Sequence, residues 1–535
     1  MNPLQYIQKN WDFKKNTKQN VITFNNVKEK EKKTRNKMVL LSLIVVGLSL
    51  LLHNPTLALM LLITSVSFGS EYIFKNQAVG GTNVCAIDST HFAVAYRNDD
   101  DSRKGYVVIG TISGTAISYG TIYKFNDADS SGIKIILIDS THILIGYSIS
   151  TTSLACIAGT ISNGNQISFG SASTIESGWM DSLSISMIDS THFVGAFRNT
   201  SSYKGIAFVG TISGTSISVG NKYEFNDSMA TQISVLTIDS THIIIIFSNT
   251  GNSNYGSSIV GTISGTSISF GSKYTVVSSD VANGITATMI DSTHFAVAYR
   301  DAGNSDYGTC KIGIYSSGTL SYGSAYIFNS GISAALSICK IDSSKFLVSY
   351  WDYAGGNGYG LCKVGTISSG TTISYSDAYT FNAATTYGIS SIFLDASKFV
   401  ITYVDDGNSN YGTAILGTAT FVVAPTVTTQ DATSVAQTTC TGNGNITATG
   451  GANATRRGIC YKVGTSGDPT TADSVAYDDG DFGTGAFTKA ITGLTAGTGY
   501  RVRAYATNSA GTSYGSTVQV TTLSSATAAF LLMMV

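Results

Sequence analysis

The chain has 535 residues, a net charge of −1, 56 glycines, 4 prolines and only 12% charged side chains. Its 43% hydrophobic content is that of packed cores and excludes a largely disordered chain. Residues 1–37 hold ten Lys or Arg against Asp12, Glu29 and Glu31, so the remainder is net −8 and offers no basic stripe for nucleic acid.

Residues 1–37 read as a solvated, disordered basic arm. Behind it Met38–Leu52 is fifteen residues without a charge, followed by His53-Asn54-Pro55-Thr56 and the apolar run Leu57–Ile63. Residues 38–63 are expected to form a short hydrophobic helix, either an export signal cut near Ala58 or a retained membrane anchor. With the lysines kept inside, everything after residue 64 faces outward, which places the protein outside the cell or on its surface.

From residue 64 to 423 one pattern recurs seven times: an apolar strand ending in Asp, a short turn, and a second apolar strand. The aspartates are Asp88, Asp139, Asp189, Asp239, Asp291, Asp342 and Asp395, spaced 50 to 53 residues apart. The unit beginning at Gly284 shows four strands: ITATMID, FAVAYR, TCKIGIY and LSYGSAYIF. Four strands per unit at this period predict a seven-bladed β-propeller. The seventh unit lacks its fourth strand, and Thr64–Tyr72 matches the fourth strand at Thr266–Tyr274. The N-terminal strand is therefore expected to close the ring and remove an open sheet edge.

After Ala424 the repeat stops and a different strand pattern, predicted to be a C-terminal β-sandwich, runs to Leu523. Leu494, six residues before Tyr500, and Asn508 with Gly511 resemble the end of a fibronectin type III domain. That resemblance implies a tyrosine corner, a spacer or adhesion role, and no catalysis. The Trp usual in the second strand is missing, with Cys440 in that region. Cys440 and Cys460 are the pair a disulfide would join, a pairing that spacing leaves open. The apolar tail at 524–535 is too short to span a membrane.

Five histidines (His91, His142, His192, His242, His294) share one repeat position, where the last two units carry Lys345 and Lys398. Equivalent positions on neighbouring blades lie roughly 10 Å apart, too far for shared metal coordination, so these read as turn residues. The loops between second and third strands resemble, faintly, the calcium loops of integrin-type propellers. Asp301, Asn304, Asp306, Asp405 and Asn408 are the oxygen donors, and calcium is the one cofactor they would take, although the alternating Asp order is absent. Arg97, Arg198 and Arg300 end second strands, and Tyr307, Tyr359 and Tyr411 precede glycines at loop ends. Aromatic and polar residues of this kind suit stacking on sugar rings and binding their hydroxyls.

No sialidase box, nucleophile elbow, P-loop or His-Glu-x-x-His motif occurs. The sequence thus points to a non-enzymatic, exported recognition or adhesion protein. Its partners would be glycans or surface proteins met by the loop face, with the membrane engaged through the N-terminal segment. The look-alikes are repetitive propeller proteins of microbial surfaces, some similar to the integrin α-chain head. The alternatives are an exported glycan-active propeller enzyme, hydrolase or lyase, and a structural surface or virion protein.

Overall fold

A computed structural model describes residues 65–524, apart from 151, 179, 282–283 and 354–357. The basic arm, the expected hydrophobic helix at 38–63 and the tail after Ser524 lie outside the described residues. The described chain is all-β, with no α-helix, and falls into two compact units divided between Phe421 and Val422.

In the first unit, seven antiparallel sheets follow one another along the chain. The first joins the second half of Ser65–Ala86 to His91–Asn98, then to Lys104–Ser113, then to Ala116–Tyr119 and the start of Tyr123–Asp139. Strands Ser65–Ala86, Tyr123–Asp139, Ser216–Thr237, Tyr326–Asp342 and Tyr379–Phe393 each run from the outer edge of one sheet into the inner edge of the next. The last sheet, Tyr379–Phe393, Lys398–Asp405 and Tyr411–Thr420, takes its fourth strand from the front of the chain. Ser65 faces Thr420, Val66 faces Ala419 and Ile73 faces Thr413. Tyr403 adds a side-chain bond across this seam, its hydroxyl donating to Glu71 Oε1 at 2.8 Å.

Neighbouring inner strands are also laced by four of the seven side chains that stand five residues before a repeat aspartate. Asn83 Oδ1 accepts from Ile135 N at 2.8 Å, Ser184 Oγ from Val235 N at 3.0 Å, and Ser337 Oγ from Ser391 N at 3.0 Å. Ser390 Oγ accepts from Val84 N at 3.2 Å, which ties the seventh inner strand to the first. At the outer end, the Asn that follows the fourth-strand Phe reaches the next sheet. Asn226 bonds Asn249, Asn329 bonds Asp352 and Asn382 bonds Asp405, at 2.9 to 3.2 Å. Within sheets, the fourth-strand Phe lies over a third-strand Gly. A Cβ on Gly308 or Gly412 would sit 2.3 Å from Phe328 or Phe74, so no larger residue fits without displacing the ring.

Each inner strand carries a residue with positive φ seven positions before its aspartate. Four are glycines (Gly81, Gly132, Gly284, Gly388), and three are Ser182, Gln232 and Ala335, at φ 54°, 52° and 48°. An extra residue is accommodated here, for example between Val79 and Thr82, where the pairing with the second strand shifts.

The second unit is two antiparallel sheets. Thr426–Thr433, Thr439–Ala448 and Gly485–Thr492 form one. Ser474–Phe482, Ala454–Val463, Gly499–Asn508, Gly511–Tyr514 and Val518–Thr521 form the other. Ile459, Phe487, Leu494, Tyr500 and Val502 meet in its core, and Thr495 N donates to the Tyr500 hydroxyl at 2.9 Å. The Asn508 amide donates to Val423 O and Thr449 O, beside the paired start of Thr426–Thr433 and end of Thr439–Ala448 at one end of the first sheet. The disulfide left open by the sequence is not formed. Cys440 and Cys460 are free thiols in different sheets, and Cys460 Sγ donates to Arg503 O in its own sheet.

A left-handed conformation costs a residue with a Cβ about 1 kcal/mol. Ala335→Gly is therefore expected to stabilise the protein by about 1 kcal/mol. Gly388→Ala should destabilise it by at least as much, because its Cβ would also lie 3.0 Å from Gly81 Cα. Urea unfolding midpoints at unchanged slope are the measurement.

Candidate functional site

The ends of the strands make two chemically different rims. On one, the Asp-Ser-Thr-His turns are closed by their own side chains. Asp88 Oδ1 accepts from Thr90 N at 2.7 Å, Thr90 Oγ1 at 2.8 Å and His91 N at 2.8 Å, and His91 Nδ1 lies 2.9 Å from Oδ2. The His–Asp pair recurs in all five histidine turns, and Lys345 Nζ reaches Asp342 at 3.0 Å in the sixth. Each histidine is thus held within its own turn. Partial burial raises the carboxyl pKa, but bonds from the backbone and hydroxyl of the Thr or Ser and from the His or Lys outweigh it, so all seven aspartates sit below the usual range. Asp189 and Asp291 fall to about 2.

The opposite rim carries the loops between second and third strands. Arg97, Arg198 and Arg300 lie there, but each guanidinium is tied to a carboxylate. Arg97 Nε donates to Asp99 at 2.5 Å, Arg198 Nε to Asp181 at 2.7 Å and Arg300 Nε to Asp306 at 2.9 Å. Their side chains are only 17 to 20% exposed. The same pairing occupies the expected calcium donors. Asp306 serves Arg300, Asp301 Oδ1 accepts from Ser279 Oγ and Gly303 N, and buried Asp405 accepts from Asn382 Nδ2. Asn304 and Asn408 end short 3-10 turns. Among the described residues no three His, Cys, Asp or Glu side chains gather as a metal set.

Tyr307, Tyr359 and Tyr411 each begin the third strand of a different sheet and are not brought together; Tyr359 is exposed, the other two half-buried. The residues the sequence reading missed are Tyr203, Tyr353 and Tyr387, exposed by 57, 46 and 41%. With Tyr359 they are the exposed aromatic residues described in the first unit, and all four stand on this loop rim. Tyr387 had a detectable signal: the corresponding positions in other units are Gly80, Ser131, Asp181, Thr231, Asn283 and Ala334, none of them aromatic.

Two cavities open on this side. A groove of about 450 Å³ is bordered by Ala78–Gly81, Asp99, Tyr387, Gly388, Val404 and Asn410, across the seam between last and first sheets. Asn410 Oδ1 is buried there without a hydrogen-bond partner. The larger cavity, about 590 Å³, is lined by all seven inner strands, from Asn83 and Lys134 through Ser184, Gln232 and Thr286 to Ser337 and Ser390. Lys134 is its one charged lining residue, and desolvation holds the ammonium below the usual lysine pKa although part of its surface still faces the lumen. No Asp or Glu is among the lining residues.

No family model matches the chain, and neither does any curated protein. Solved structures do. A lectin, BP39L from Burkholderia pseudomallei, aligns at 8% identity and TM-score 0.47, over 64% of this chain and 96% of its own. Chaetomium thermophilum Sqt1, bound to the N-terminus of ribosomal protein L10, aligns at 11% identity and TM-score 0.41, over 64% and 88%. A mutant of AofleA from Arthrobotrys oligospora aligns at 10% identity and TM-score 0.38, over 60% and 91%. At this level of likeness the alignments carry no argument about ligand.

A carboxyl whose folded pKa is depressed stabilises the fold above its unfolded pKa, near 3.9, and loses that contribution as pH falls through the folded value. The seven turn aspartates should therefore make stability drop between about pH 4 and about 2. Circular dichroism melts across that window test this, and Asp189→Asn should flatten the drop while lowering stability at neutral pH. Because the loop carboxylates are already bonded, excess calcium is expected to leave the melting temperature unchanged in a thermal-shift assay.

Proposed function

We propose that residues 65–421 form a closed seven-bladed β-propeller that recognises glycan or protein ligands through its loop rim. The observation that carries this reading is that the four exposed tyrosines described in the first unit all stand on that rim, Tyr387 among them bordering the seam groove. Tyrosine supplies large contact area at small entropic expense and a hydroxyl that orients a polar partner. The Arg–Asp pairs alongside are rigid, pre-ordered polar groups of the sort that fix ligand orientation. At about 450 Å³ the groove is within the usual size range of small-molecule sites, roughly 300–1,000 Å³.

The second unit acts, in this reading, as a fibronectin type III-like spacer, in keeping with its two-sheet topology and the Thr495–Tyr500 bond. Export, with 38–63 as signal or anchor, completes the picture of a surface adhesin. The hydrolase or lyase alternative would call for paired acids, and the described cavity lining supplies none.

A glycan array and a cell pull-down with the full chain test the proposal. Tyr387→Ala and Tyr353→Ala should each weaken binding of the captured ligand by about 1–2 kcal/mol, roughly five- to thirtyfold, with melting temperature preserved. A blank array together with an empty pull-down, or binding indifferent to both substitutions, would refute the rim as the contact surface.

A further inference from the structure

The position five residues before each repeat aspartate is held by Asn83, Lys134, Ser184, Ser234, Thr286, Ser337 and Ser390. Six of these are neutral, and four accept the next strand's N–H as described. Lys134 alone has no acceptor to offer, and among the described residues its ammonium has neither an ion pair nor a hydrogen bond. The hydroxyls of Ser234 and Thr286, on the same lining, are likewise without partners among the described residues. No other titratable side chain lines the cavity or its mouth, which is bordered by Thr82, Asn83, Lys134, Gln232 and Gly284 among others. A desolvated ammonium without a counter-charge is unfavourable, and an ordinary repeat serine would have removed it. Gln232, at the mouth, is also held at φ 52°, a conformation that a side chain rarely adopts.

We infer that the central cavity binds a small hydroxylated organic acid, its carboxylate paired with Lys134 and its hydroxyls bonded by Ser184, Ser234 and Thr286. The charge supplies what the site lacks, and the ring of hydroxyls favours a polyol over an aliphatic acid. The cavity volume, about 590 Å³, admits a single sugar acid. This site is separate from the rim and does not depend on the rim reading.

Titration calorimetry of the full chain with glucuronate and with glucose is the test. Glucuronate should bind at least about tenfold more tightly than glucose. Lys134→Ser, which installs the residue found at this position in four other units, should fold normally and lose about tenfold or more in glucuronate affinity. Binding should also weaken as pH rises through the Lys134 pKa, since no other lining group titrates. Tyr387→Ala should leave this affinity unchanged, which separates the cavity from the rim. Equal binding of the two sugars, undiminished binding by Lys134→Ser, or no heat from glucuronate would each overturn the assignment.

Discussion

A row of similar sheets has two exposed edges unless its first and last members meet. Here the meeting is made by one strand, Ser65–Ala86, which belongs to two sheets at once. Its first half completes the last sheet and its second half starts the first. The Ser390–Val84 and Tyr403–Glu71 bonds repeat the same join at the inner and outer ends. All seven inner strands border one cavity.

Much of this fold was legible because its determinants are local and repeated. The aspartate of each turn bonds the amide two residues on, and in four turns the amide three on as well, so a short motif contains the whole turn. The missing fourth strand was legible by subtraction, since Thr64–Tyr72 copies a segment found inside a full unit. Leu494 and Tyr500, singled out by their spacing, share the core of the second unit, where the Thr495 amide bonds the Tyr500 hydroxyl.

The site was far less legible, because its contacts join residues distant in sequence. Arg198 looked available until Asp181, in a different strand, was placed against it. Nothing local marks Asn83 as the acceptor for Ile135, fifty-two residues on. The polar positions of the inner strands read as ordinary alternation, and only the shared cavity shows that Lys134 stands alone among neutral neighbours. Tyr387 was overlooked because it is one of 29 tyrosines, few of which are exposed among the described residues.

The seam has a mechanical consequence. Ser65 and Thr420 are paired at the same end of an antiparallel couple. Tension between them would part the hydrogen bonds in succession, as a zipper opens, instead of loading the whole row in shear. Pulled apart at these two ends, the molecule would lose the first half of Ser65–Ala86 from the last sheet before its second half, in the first sheet, is loaded.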